Sequence, residues 1–191
     1  MPEHLWTCVI KSPILTSSCL ISLNGNGGSV GLRRLHLYNI EGIDDTALAS
    51  LSVCPSLIDL EIVCLYVNLK LTLESLSKHI PLIERLICEF SSRDHNALEY
   101  ETCSKFVLNC PNITTLALKG FAMPDSLAIK LIKGFRKLKH VDFSDTYCLT
   151  GSFLKNLGTN GGGNNLEVMI LRDTTDLKQV GTIGLVLFSL P

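Results

Sequence analysis

The chain has 191 residues, of which 46% are hydrophobic and only 18% are charged, and its formal net charge is −1. This balance excludes an intrinsically disordered protein, because disorder requires low hydrophobicity and high net charge. The near-neutral charge gives no electrostatic basis for nucleic acid or an anionic membrane as the main partner. We therefore expect one domain with a substantial core, no nucleic-acid binding and no membrane binding.

The first twelve residues have the apolar spacing of a short helix. After an early proline, apolar side chains recur at i, i+1, i+4 and i+5, at Leu5, Trp6, Val9 and Ile10. This spacing predicts a helix with one apolar side over residues 1–12. Ser12 precedes Pro13 and should end the helix, because the residue before a proline avoids the helical region. Residues 1–31 are predicted to form an N-terminal cap.

From Leu32 onward, one hexamer with the spacing apolar-x-x-apolar-x-apolar recurs six times. The hexamers begin 25, 26, 30, 25 and 28 residues apart, at Leu32, Leu57, Ile83, Ile113, Leu138 and Leu166. A period of roughly 20 to 29 residues is typical of leucine-rich repeats. The predicted fold is therefore α/β, a leucine-rich-repeat solenoid (a right-handed β-α superhelix) of about six repeats over residues 32–175. It has a parallel concave sheet and an irregular tail over residues 176–191.

The hexamer has a simple physical meaning. Alternate side chains of an extended segment point to opposite faces, so Leu35 and Leu37 face the core while Arg34, His36 and Tyr38 face outward. One coil cannot bury its apolar side alone, so coils stack and cover one another. Return helices are predicted near residues 44–51, 73–78, 103–108 and 125–132, with a shorter apolar turn at 153–157 and a polar loop at 91–97.

The outward strand positions form the candidate binding surface. They combine charged, aromatic and apolar groups, which suits a protein or peptide partner. The candidate partner-binding residues are Arg34, His36, Tyr38, Asp59, Glu61, Arg85, Ile87, Lys119, His140, Asp142 and Arg172.

Catalytic, metal and cofactor sites are not expected. The five histidines have neither metal-ligand spacing nor a nucleophile motif beside them. Asp142 and Asp145 are a pair of carboxylates, but general acid–base catalysis would need a cleft that this architecture rarely provides. The eight cysteines contain no C-x-x-C pair, which indicates free thiols in a reducing compartment, the cytoplasm or nucleus.

The segment Ile43-Asp44-Asp45-x-Ala47-Leu48-x-x-Leu51-x-x-Cys54-Pro55-x-Leu57 resembles the cysteine-containing class of leucine-rich repeat. Parts of it recur at residues 110–113 and 149–151. This class is best known from F-box/LRR proteins, and the residues of the repeat are most similar to those of plant members. One departure is the position that usually holds Cys or Asn after the strand, which carries Ile40, Leu65, Ser91, Phe121, Thr146 and Thr174.

The resemblance implies a non-enzymatic module that recognises a protein substrate on its concave face, as part of an F-box-type (SCF) ubiquitin ligase receptor. One alternative is a scaffold without an F-box that competes with a full-length relative for its partners. Another is a receptor for a hormone or cofactor, although the sequence lacks the basic cluster that would hold such a ligand.

Residues 2–10, Pro-Glu-His-Leu-Trp-x-x-Val-Ile, are similar to the opening helix of an F-box. In that family the motif docks on the Skp adaptor through three helices. The repeats begin here at Leu32, which leaves no room for the other two helices, so residues 1–31 resemble a truncated F-box. Binding to the Skp adaptor stays an open alternative.

Overall fold

The fold is described from a computed structural model, over residues 6–11, 31–43, 51, 54–90, 98–157, 162–174 and 176. Seven strands form one parallel sheet, in which each strand lies beside its predecessor and its successor in the chain. They are β1 (Trp6–Lys11), β2 (Leu32–Ile43), β3 (Asp59–Val67), β4 (Arg85–Phe90), β5 (Thr115–Lys119), β6 (His140–Asp142) and β7 (Val168–Ile170). The helices of the described residues are α1 (Leu69–His79), α2 (Tyr100–Asn109) and α3 (Asp125–Gly134), with a 3-10 helix over Ser152–Asn156. This sequential parallel order confirms the predicted leucine-rich-repeat solenoid.

All six predicted strands are present, and they pair at equivalent positions of the hexamer. One buried row crosses the sheet through Leu35, Leu60, Leu86, Leu116, Val141 and Met169. A second buried row runs through Leu37, Ile62, Cys88 and Leu118. The side chains of both rows are at most 2% exposed and pack in one core with the helices.

The helix predicted over residues 1–12 is wrong for Trp6–Lys11, which form a strand parallel to β2. Cys8 and Ile10 are opposite Leu35 and Leu37 and pack against the same core. Burial of these alternate side chains outweighs the helical spacing of the segment, and β-branched residues suit a strand. The sheet therefore has one strand more than the six predicted, and this part of the F-box-like segment is not helical.

Local chemistry explains where the helices begin and end. The Asn68 side chain caps α1 by accepting a hydrogen bond from the Leu71 N–H at 3.1 Å. After each helix a tight turn leads into the next strand. In this turn the backbone N–H of an apolar residue donates to the carbonyl three residues earlier, as Ile113 does to Cys110. Proline follows α1 and α2 at the second position of this turn, where its fixed φ fits.

The core lies between the sheet and the helices. Phe106 of α2 meets Phe135, directly after α3, edge to face with ring centroids 5.2 Å apart. Cys103 and Cys110 are fully buried beside them, and burial raises the pKa of both thiols to about 12. These cysteines behave as small apolar residues in the core.

Successive coils are joined by a repeated backbone contact just before each strand. The Ile58 carbonyl accepts from the N–H groups of Glu84 and Arg85 at 2.8 and 2.9 Å. Equivalent pairs of bonds are accepted by the carbonyls of Glu84, Thr114 and Lys139. This contact holds the coils in register, so outward side chains of neighbouring strands are aligned.

The predicted helix of the first coil, the polar loop at 91–97 and the tail after Asp176 lie outside the described residues. Of the described helices, none is both long and apolar enough to cross a membrane.

Candidate partner-binding surface

The sheet face opposite the helices, here called the open face, carries three aligned rows of side chains. The first row is Thr7, Arg34, Asp59, Arg85, Thr115, His140 and Val168. The second row is Val9, His36, Glu61, Ile87, Ala117, Asp142 and Ile170. The third row is Lys11, Tyr38, Val63, Glu89 and Lys119. Strand alternation thus places ten of the eleven predicted residues in these rows.

Arg85 is the centre of an ion-pair network that joins β2, β3 and β4. Its guanidinium donates to Asp59 Oδ1 at 2.6 Å and to Glu61 Oε2 at 2.7 Å. The two carboxylates lie two residues apart on β3 and are each only 14% exposed. The N–H donors of the guanidinium diverge like a fork and match two neighbouring acceptors. The guanidinium therefore fixes both carboxylates in place.

Residues of β2 complete this network. His36 Nε2 lies 3.3 Å from Asp59 Oδ1, and Arg34 Nε lies 3.9 Å from Asp59 Oδ2. Tyr38 forms a hydrogen bond with Glu61. The network therefore comprises six predicted residues: Arg34, His36, Tyr38, Asp59, Glu61 and Arg85.

The pKa shifts reflect this pairing. Partial burial would raise the pKa of Glu61, but hydrogen bonds with Arg85 and Tyr38 outweigh it and lower the pKa. Burial would lower the pKa of Arg85, yet its two carboxylate partners raise it. The pKa of Tyr38 is raised by burial and by its bond to Glu61. The shifts of Glu61 and Arg85 favour their charged, ion-paired forms, and the shift of Tyr38 favours the protonated phenol that donates to Glu61.

A second, smaller cluster surrounds Lys119 on the other side of Ile87 and Ala117. Lys119 Nζ lies 3.0 Å from Glu89 Oε2 and 3.6 Å from Asp142 Oδ2. The carboxylate of Asp142 also accepts from the Ser144 N–H at 3.0 Å and from its hydroxyl at 2.6 Å. These bonds tie Asp142, the last residue of β6, to the turn that follows the strand.

The other predicted residues lie apart from both clusters. Ile87 is partly exposed between them, and His140 is exposed in the first row. Arg172 lies two residues beyond β7, where it is exposed. The face is a surface of mixed chemistry, and no group of three or more potential metal ligands occurs among the described residues.

The sequence interpretation missed the contribution of β1 to this face. Thr7, Val9 and Lys11 extend the three rows by one strand, and the ammonium of Lys11 lies 5.2 Å from the centroid of the Tyr38 ring. A signal was present, since Leu5, Cys8 and Ile10 fit the hexamer and begin 27 residues before Leu32.

Parallel strands in sequential order, a leucine-rich core and an open polar face define a leucine-rich-repeat protein. The chain is 40% identical to the F-box protein At4g02760 of Arabidopsis thaliana over 169 residues, which cover 87% of the chain and 33% of that relative. It is 38% identical to the F-box protein SKIP17 of the same plant, over 88% of the chain and 36% of the relative. A third relative, the F-box/LRR-repeat protein At3g26922, is 30% identical over 68% of the chain. These relatives are plant F-box and F-box/LRR-repeat proteins by name, which supports the F-box/LRR family that the repeat signature implied.

No family model matches the chain. The chain spans about a third of the length of the first two of these F-box proteins, with 33% and 36% covered.

Proposed function

We propose that this chain is a non-catalytic recognition module, the substrate-binding part of an F-box-type receptor of an SCF ubiquitin ligase. Its open face, which corresponds to the predicted concave face, binds a protein substrate. The main support is the order of that face, since Arg85 is bonded to Asp59 and Glu61, and Tyr38 to Glu61, before any partner arrives. Such preorganisation lowers the entropic cost of binding.

The family relation supports the same proposal. The relatives are F-box proteins by name, and the resemblance of the repeats implies a recognition role without catalysis. The open face offers several rows of mixed charged and apolar groups, a composition that suits a protein interface.

A bulky side chain at the centre of the open face tests this surface. Ile87→Trp adds a large group between the two ionic clusters without removing a charge, and Leu108→Trp is the matched control, because Leu108 is 77% exposed on α2. Affinity capture from plant extract should lose its specific partners with Ile87→Trp and retain them with Leu108→Trp. Retention by the first variant and loss by the second would place the binding surface on the helices instead.

The alternative is a scaffold or competitor that acts without the adaptor, regulating a full-length relative. It is favoured by β1, because the segment similar to an F-box helix is part of the sheet. A pull-down with the Skp adaptor separates the two proposals. Binding by this chain supports the receptor, whereas binding only by a version that carries a complete F-box supports the scaffold.

A further inference from the structure

The four acidic groups in the rows of the open face are already paired, and three of them are largely buried. Asp59 and Glu61 are each 14% exposed and bonded to Arg85, and Asp142 is 18% exposed and bonded to Ser144. Glu89 is 41% exposed but is paired with Lys119 at 3.0 Å. The three largely buried carboxylates have little remaining capacity to accept bonds from a partner.

Several basic groups of the same face, in contrast, project from it. Arg34 is 50% exposed, and its distance of 3.9 Å to Asp59 exceeds that of a hydrogen bond. His140 and Arg172 are exposed, and no ion pair of their side chains occurs within the described part of the chain. A partner approaching this face therefore meets donors with unused capacity.

These donors are separated along the face. Arg34 and His140 occupy the same row on β2 and β6, four strands apart. At about 4.8 Å between neighbouring strands their backbone positions are roughly 19 Å apart. An extended segment that rises about 3.3 Å per residue covers this distance in about six residues.

We propose that the open face binds an extended acidic segment of its protein partner, with one carboxylate at Arg34 and another, about six residues away, at His140 and Arg172. This inference rests on the proposed function and adds the chemistry of the partner. Between the two ends, Ile87 and the paired clusters supply contact area. Charge-assisted bonds to the guanidinium groups would provide the specificity.

The experiment is a selection of displayed random twelve-residue peptides on the full chain, followed by affinity measurement of the enriched peptides. We expect enriched peptides to carry two Asp or Glu residues about six positions apart. Their affinity should fall at least tenfold with Arg34→Glu combined with Arg172→Glu. The control combines Arg136→Glu with Lys155→Glu, which makes the same change of net charge at exposed positions outside the open face and should leave affinity unchanged.

The outcomes separate this inference from the proposed function. If Ile87→Trp abolishes binding but the enriched peptides are neutral or basic, the surface stands and the acidic partner is refuted. If Ile87→Trp leaves binding intact, the proposed surface itself fails. Equal loss in both charge-reversed variants would indicate nonspecific attraction and overturn the inference, as would a selection that enriches no peptide.

Discussion

Strands β2 to β4 and strands β5 to β7 belong to one sheet, yet they are held together by different means. The first three strands have 12, 9 and 6 residues, and the ion-pair network of Arg85 crosses them on the open face. The last three have only 5, 3 and 3 residues. In that part of the sheet, hydrogen bonds between side chains and the backbone of the turns replace many of the backbone hydrogen bonds between strands.

One position of the repeat, two residues after the last apolar residue of each hexamer, differs among the coils. In the last three coils this position has positive φ, at Gly120 (83°), Asp145 (57°) and Asp173 (52°), and it is also positive at Asn39 (55°). Gly, Asp and Asn tolerate the left-handed region. The strand β2 continues past Asn39 to Ile43, with a shift in its pairing register between Tyr38 and Ile40. The left-handed residue therefore accompanies the three short strands but does not by itself end a strand.

A shared core should make the two halves one cooperative unit despite this difference. Leu116 is fully buried in β5, so Leu116→Ala should lower the free energy of unfolding by roughly 2–5 kcal/mol. Leu108→Ala, at the 77% exposed leucine of α2, is the control and should change it by less than about 0.5 kcal/mol. Urea unfolding measures both. Hydrogen exchange that accelerates in β5–β7 alone would show that the halves unfold separately.

Each ionic cluster has one cation at its centre, Arg85 or Lys119. Removing these cations should lower the free energy of unfolding by different amounts. Arg85→Met deprives two carboxylates, each 14% exposed, of their shared guanidinium partner and should cost about 1–3 kcal/mol. Lys119→Met leaves Glu89, which is 41% exposed and well solvated, and should cost less than about 1 kcal/mol. Chemical denaturation of both variants checks the order. Equal losses would mean that the Arg85 network contributes no more than surface ion pairs.

The turn that Asp125 closes is the counterpart of this network in the last coils. Asp125 accepts hydrogen bonds from the N–H groups of Thr150 and Gly151 at 3.2 Å, from the Thr150 hydroxyl, and from the Ser152 hydroxyl at 2.5 Å. Burial would raise the pKa of Asp125, but these bonds outweigh it and lower the pKa below its ordinary value of 3.8. The ionised carboxylate thus ties α3 to the following coil.

Asp125→Ala should therefore cost about 1–2 kcal/mol at neutral pH, through the loss of these charge-assisted bonds. Because the pKa is lower in the folded state, the contribution is present above pH 3.8 and is lost as the pH falls through the folded value. Thermal unfolding between pH 7 and pH 3 measures it. The variant should lose less stability on acidification than the wild type, and parallel pH profiles would contradict this account.

Much of the fold follows from the sequence, because a buried hexamer repeated at a nearly constant period leaves little choice of architecture. Two features of the face did not follow. The strand β1 was misread since Trp6, Val9 and Ile10 also fit helical spacing, and a short apolar run satisfies both periods. The pairing of Arg85 with Asp59 and Glu61 depends on inter-strand register, which one strand's sequence does not contain.

Charge reversal at Asp59, Glu61 or Arg85 is consequently a poor probe of binding, because it breaks a structural network as well as a surface. Exposed residues such as Arg34 and Arg172 report contact more directly. The sequence placed both kinds of residue on one face but could not distinguish them, since exposure depends on the neighbouring strands.

The smallest expected effect on stability is at Asp145, which has a positive φ. Here the loss of the charge should stabilise the protein, whereas the substitutions above destabilise it. Partial burial, together with Asp173, Glu89 and Asp142, raises the pKa of Asp145 above 3.8. A pKa raised on folding means that the ionised group opposes folding, so stability is present below pH 3.8 and is lost as the pH rises through the folded value.

Asp145→Asn removes this repulsion at neutral pH and keeps a residue that tolerates φ near 57°. The free energy of unfolding at pH 7 should rise by a few tenths of a kcal/mol, roughly the scale of a solvent-screened charge contact. Asp145→Ala is the control for the backbone conformation. Alanine tolerates positive φ poorly, so this variant should be less stable than the wild type. If Asp145→Asn lowers the stability instead, the carboxylate rather than the left-handed backbone holds this turn.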